Sequence, residues 1–196
     1  MAVRRIILFA SGTLLVLAVC VAVIFGAVRD SDPEKETFTL WQLPSVADDH
    51  GNSYVIRTPH GRVVAIDGGK GAETDYLRGF LAALGDEVDV WIVTHPHYDH
   101  VEAMTNLLRR PMDLRVHEVR ESRFTPGMIA SEPEYSRWAE EYYAALDAAQ
   151  GVKVTECHTG DEFTVDGVHF KILSEINPEI GVNVYNNSSM AFRVWD

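Results

Sequence analysis

Thr94-His95-Pro96-His97-Tyr98-Asp99-His100 sets three imidazoles and a carboxylate within six residues, in the pattern H-x-H-x-D-H. The run before it, Val88-Asp89-Val90-Trp91-Ile92-Val93, is β-branched and aromatic and reads as a short buried strand. If the backbone stays extended through Pro96, His95 and His97 point to one side, because strand side chains repeat every two residues. Pro96 favours this by keeping the residue before it out of the helical region. Asp99 and His100 then close on the same point from the loop that opens the next helix. Neutral imidazoles and a carboxylate are ligands that zinc accepts, and a catalytic site keeps a position open for water. Four ligands packed this tightly crowd a single tetrahedral ion, whereas two ions ~3.5–4 Å apart can divide them. His95 and His97 would serve one, Asp99 and His100 the other. Zinc is the expected metal, with manganese or iron as alternatives. A surface loop that is His-rich by chance is the competing reading, and four fixed residues after a buried strand weigh against it.

H-x-H-x-D-H at the end of a buried strand resembles the metallo-β-lactamase superfamily of αββα hydrolases. Two further stretches carry the likeness. Val63-Val64-Ala65-Ile66-Asp67-Gly68-Gly69 is similar to the family's apolar strand ending in Asp-Gly. Asn186-Asn187-Ser188-Ser189, followed by Met190, Phe192 and Val194 in alternation, resembles the strand entry of the branch containing the hydrolase domain of the DNA-uptake competence protein. The likeness runs from Phe38 onward. It implies an α/β fold, here part of the αββα sandwich. It also implies that Asp67 braces the metal loop from outside the ligand set, as metal-bound imidazoles require. In the family a Gly-Asp bridging the two metals and a further His follow the Asn-Asn-Ser-Ser strand. Gly160-Asp161 comes too early to match, so the expectation is a shortened domain whose sandwich has an exposed inner face that invites self-association.

Composition narrows the function. The 196 residues carry a formal charge of −12. From Arg29 onward lie all 29 acidic and 15 of the 17 basic residues, a balance of −14. Non-specific nucleic-acid binding needs basic surface that displaces counterions, so no extended nucleic-acid surface is expected. A small anionic substrate is compatible with the local field of bound metals. The two cysteines, Cys20 in an apolar run and Cys157 in the globular part, give no disulfide framework.

Residues 1–5 form a basic leader, and Ile6 to Val28 follow without a charge. That run is long enough to cross a ~30 Å bilayer core as a helix, and longer than a usual signal-peptide core. A single-pass anchor at 6–28 is expected, then a polar linker at 29–36 and the globular domain at 37–196. Arg4 and Arg5 place the N-terminus in the cytoplasm and the domain outside.

Within the domain, Phe38–Leu43, Tyr54–Ile56 and Val63–Ile66 read as strands, and Glu73–Leu84 and Val101–Leu108 as helices. Leu114–Val119 reads as a strand, Arg120–Glu132 as a long loop and Pro133–Gln150 as a helix with an aromatic face. Val152–Thr155, Glu162–Val165 and Val168–Leu173 are further strands, Asn177–Asn187 a polar loop and Ser189–Trp195 the last strand. His50, His60, His117, His158 and His169 lie outside the metal motif, in turns or on alternating strands.

These readings converge on a membrane-anchored metallo-hydrolase acting on a phosphodiester or on an acyl- or ester-type bond of a small substrate. Asp99 is the expected catalytic group, orienting the attacking water and passing a proton to the leaving group. The alternative is a non-catalytic tethered domain that binds metal or a partner.

Overall fold

The computed structural model describes residues 37–46 and 50–196. The apolar run 6–28 and the linker lie outside the described residues. Among the described residues no helix is long and apolar enough to cross a membrane.

Strands β1 (Thr39–Gln42), β2 (Ser53–Arg57) and β3 (Val63–Asp67) form an antiparallel meander. The chain then alternates strand and helix. Helix α1 (Thr74–Ala83) leads to β4 (Glu87–Ile92), and α2 (Tyr98–Arg109) leads to β5 (Arg115–Glu121). Two helices, α3 (Pro126–Ser131) and α4 (Pro133–Ala148), precede β6 (Lys153–Glu156). The six strands pair in chain order, and β3 through β6 run parallel. Parallel neighbours need crossovers, and the helices supply them. A second sheet of β7 (Glu162–Val165), β8 (Val168–Ser174) and β9 (Ala191–Trp195) is antiparallel, with the one-turn helix α5 (Val184–Asn187) ahead of β9.

Alternation divides the core in two. Val63, Ala65 and Trp91 face the helices and pack with Leu77, Leu81, Val101, Met104, Tyr142 and Leu146. Ile56, Val64, Val90 and Ile92 face the second sheet and meet Val168, Phe170, Ile172 and Met190. β3 is therefore buried on both faces, which is why it reads as an unbroken apolar run.

Four expectations change. The inner sandwich face, expected to be open, is covered by the second sheet, whose Phe163 and Phe170 stack at 4.7 Å. Its outward face carries Glu162, Thr164, His169 and Leu173 and is exposed. The segment 120–132 contains α3, started by Thr125, whose hydroxyl accepts from the Met128 amide at 3.3 Å, with Pro126 in the first turn. That is an ordinary N-cap followed by the residue best suited to a first helical position. The polar loop at 177–187 closes with α5. Finally, α2 begins at Tyr98, so Asp99 and His100 sit in its first turn. An acidic residue there faces the positive end of the helix dipole.

Candidate metal centre

The site lies where β3 and β4 end. They run side by side, so Asp67 at the end of β3 reaches Thr94 just past β4. Asp67 has φ 52, a left-handed conformation that aspartate tolerates better than most residues. Its carbonyl accepts the Trp91 indole N–H at 2.8 Å. Its carboxylate Oδ1 accepts the Thr94 amide at 2.9 Å, and Oδ2 accepts the Thr94 hydroxyl at 2.8 Å. His100 Nδ1 also reaches Oδ2, at 2.7 Å.

These bonds assign the imidazole protons. A carboxylate only accepts, so His100 donates from Nδ1 and keeps its lone pair on Nε2. The Asn52 amide nitrogen lies 3.1 Å from that Nε2 and donates to it. The Thr94 hydroxyl spends its proton on Asp67, so at 3.1 Å from His95 Nδ1 it accepts. His95 therefore also presents its lone pair on Nε2. Which nitrogen is free is set by what the other bonds, and here one aspartate and one threonine set it for two rings.

His95 Nε2 faces His97 Nδ1 at 3.2 Å. Two nitrogens on one tetrahedral zinc at 2.0–2.1 Å stand about 3.3 Å apart, so this spacing fits a shared ion. His100 Nε2 and Asp99 Oδ2 are 3.7 Å apart and form the second pair. The structure thus brings the four side chains of the motif together as two neighbouring pairs. Among the described residues, however, no group of three or more His, Cys, Asp or Glu side chains is disposed around one point. The donors fit divalent ions as two pairs, each supplying part of a shell.

His95, His97, Asp99 and Asp67 are buried. Burial, then the charges of His100 and His97, push the His95 imidazole down to about 2. Burial also lowers His97. Both are therefore neutral and able to ligate at neutral pH. For His100, burial acts downward, but the hydrogen bond and charge of Asp67, with the charge of Asp99, raise it overall.

Several contributors carry no motif. His50, outside the motif, stands with Nε2 3.5 Å from Asp99 Oδ2 while mostly exposed. Tyr185 stacks on His97 with centroids 4.8 Å apart and planes at 6°, and Tyr135 meets the same ring edge-on at 4.5 Å. His97 Nε2 is buried without a hydrogen-bond partner. Tyr98 lies 5.1 Å from Trp138, and Lys70 Nζ sits 4.9 Å over the Tyr98 ring. The helix from Pro133 thus sends Tyr142 inward but offers half-buried Tyr135 and Trp138 to the site. The remaining histidines stand elsewhere, His60 with Asp166, His117 with Glu87, His158 with Glu175 and His169 with Thr164.

Among solved structures, the fold is similar to the metallo-β-lactamase fold protein YhfI from Bacillus subtilis. Identity is 16% over 83% of this chain and 59% of that one, with a TM-score of 0.54. A metallo-β-lactamase from Cronobacter sakazakii with a HARLDQ motif matches at 20% identity over 79% of this chain and 54% of its own, with a TM-score of 0.48. This chain thus spans less than two thirds of either structure. No curated protein gives a match. The sequence profile of the metallo-β-lactamase superfamily matches residues 46–170, more than half of the chain, and this protein belongs to that superfamily.

Proposed function

We propose that the chain is a divalent-metal-dependent hydrolase that cleaves a phosphodiester or an acyl- or ester-type bond in a small substrate. One observation carries the reading: His95 Nε2 and His97 Nδ1 face each other at 3.2 Å, beside the Asp99–His100 pair. Zinc suits the imidazoles, and manganese or iron are alternatives compatible with the carboxylate. Bound there, a divalent pair supplies Lewis-acid polarisation and an activated water near neutral pH.

The chain's own groups do the remaining work. Asp67 and Thr94 hold the ligand rings in the required tautomers. Asp99, buried at the start of α2, accepts a proton from the attacking water and returns it to the leaving group. Its exposed neighbour His50 links it to solvent. Tyr98, Tyr135 and Trp138 form a half-buried wall that orients substrate and thins the water around it. The likeness of Asn186–Ser189 to the competence-protein branch supports a phosphodiester. The charge of −12 supports a small substrate rather than long nucleic acid.

Ile6–Val28 is the proposed tether, with the N-terminus cytoplasmic and the domain on the far side. Protease added to intact cells or spheroplasts should degrade the domain in that orientation and spare it in the reverse one. A second reading, a non-catalytic metal- or partner-binding domain, draws on the absence of a three-residue cluster among the described residues.

Metal analysis of the purified full chain, paired with hydrolysis of bis(4-nitrophenyl) phosphate and a thioester, separates the two readings. The enzyme should hold about two divalent ions and lose turnover in His97→Ala. A metal-free, inert wild type would overturn the hydrolase.

A further inference from the structure

We propose that Glu132 is the residue that positions His97 for metal binding, acting through the two tyrosines that hold the imidazole. The proposal rests on the metal-centre reading above and deepens it by one residue.

His97 is held differently from its neighbours. The Thr94 hydroxyl orients His95, and the Asp67 carboxylate orients His100. A metal-bound imidazole is ordinarily fixed by such a hydrogen bond on the nitrogen away from the ion. His97 Nδ1 is the nitrogen that faces His95, and its Nε2 is buried without a partner. Packing therefore does for His97 what hydrogen bonds do for the other two rings. Tyr185 lies parallel to the imidazole, with planes at 6° and centroids 4.8 Å apart. Tyr135 meets it edge-on at 4.5 Å. Stacked and edge-on contacts each favour a definite ring geometry, and together they fix the imidazole plane.

Both tyrosines lead back to Glu132, which stands between α3 and α4. Glu132 Oε1 accepts the Val184 amide at 2.5 Å, from a segment 52 residues away. Val184 opens α5, and Asn183 before it is left-handed and makes no side-chain cap. The carboxylate of Glu132 caps that turn from outside, with a charge-assisted bond of the strong kind. Tyr185 is the next residue, and its hydroxyl donates to the Ile129 carbonyl of α3 at 3.3 Å. On the other side, the Glu132 backbone carbonyl accepts the Tyr135 amide at 2.9 Å, setting the first turn of α4.

One residue thus sets how the two rings that clamp His97 stand relative to each other. Its second oxygen, Oε2, is buried without a partner. An unpaired buried acceptor costs stability, which marks this carboxylate as placed for the site rather than for the core.

Nuclear magnetic resonance of the metal-free full chain, labelled with ¹³C-histidine and ¹⁵N-valine, tests the assignment. In wild type the His97 ring protons should be shifted upfield by the Tyr185 face, and the Val184 amide proton downfield by the short bond to Glu132. Glu132→Ala should move both toward their ordinary positions while His95 and His100 keep theirs. Titration with Co²⁺, followed by visible absorption, should show one binding step weakened at least ~10-fold in Glu132→Ala. Glu132→Gln keeps an acceptor for the Val184 amide and should restore the shifts and the affinity, which loss of bulk stability alone does not predict. Unchanged His97 resonances and unchanged affinity in a folded Glu132→Ala overturn the assignment and leave the metal centre standing. Should Glu132→Ala not fold, a wild-type spectrum lacking either shift overturns it equally. A wild type that binds no Co²⁺ overturns the metal centre, and the positioning role with it.

Discussion

Asp67 Oδ2 lies 2.7 Å from His100 Nδ1, joining the end of β3 to the first turn of α2 across the site. The carboxylate both orients the ring and leaves the lone pair on Nε2, where the Asn52 amide nitrogen meets it. Asn at this position keeps the left-handed backbone but loses one strong acceptor. Asp67→Asn should lower affinity for one divalent ion by about 10–100-fold. Competition against a chromogenic chelator measures it, and unchanged affinity would show that the brace is dispensable.

Gly68 sets how closely that loop approaches α2. Its amide donates to the His100 carbonyl at 2.6 Å. A Cβ on Gly68 would stand 2.9 Å from the Met104 backbone nitrogen, which has no flexible way to yield. Gly68→Ala should destabilise the domain by about 1–3 kcal/mol, read from urea midpoints, and should loosen metal binding as α2 is pushed outward.

Phe170 is fully buried between the two sheets, against Phe163. Phe170→Ala should cost about 3–5 kcal/mol. If thermal unfolding of that variant matched wild type, the second sheet would not be packed as described.

Glu121 ends β5 inside the helical core, with Oε2 accepting the Tyr142 hydroxyl at 2.8 Å and Oε1 buried without a partner. Burial pushes its carboxyl from 4.5 up to about 7, against the opposing pull of Tyr142 and Arg123. Between those values the folded chain holds a proton that the unfolded chain has released. Stability from this group is therefore complete below 4.5 and falls as pH rises through about 7. Glu121→Gln should remove that decline, giving a higher urea midpoint than wild type above about pH 7 and a smaller difference near pH 5. Parallel pH profiles for the two proteins would contradict it.

Much of the site was legible because its residues are contiguous. Val88 to His100 carries both the buried strand and four ligands, and period-two alternation puts His95 and His97 together without knowledge of the fold. Asp67 was reachable only through the family likeness, since its partner is 33 residues away. Asn52, His50 and Tyr135 were not reachable, because their contacts form only once β2, α2 and α4 pack together. Helix α3 was missed although Thr125-Pro126 is a recognisable start, because its single turn and a half carries too few apolar residues for a period to show. The closed inner face was missed for a different reason. Val168, Phe170 and Ile172 alternate in the sequence, but that they cover Ile56, Val64 and Ile92 is decided by how the two sheets pack.

The bond from the Met190 amide to the Thr94 carbonyl stitches the rim of one sheet to the rim of the other, at the very turn that bears the imidazoles. Chain segments nearly a hundred positions apart must dock before the cation cradle exists. Loading with cation should thus raise the unfolding temperature of the whole sandwich rather than of one loop. Any lesion that lets β9 peel away would be felt first as lost metal and only later as lost fold.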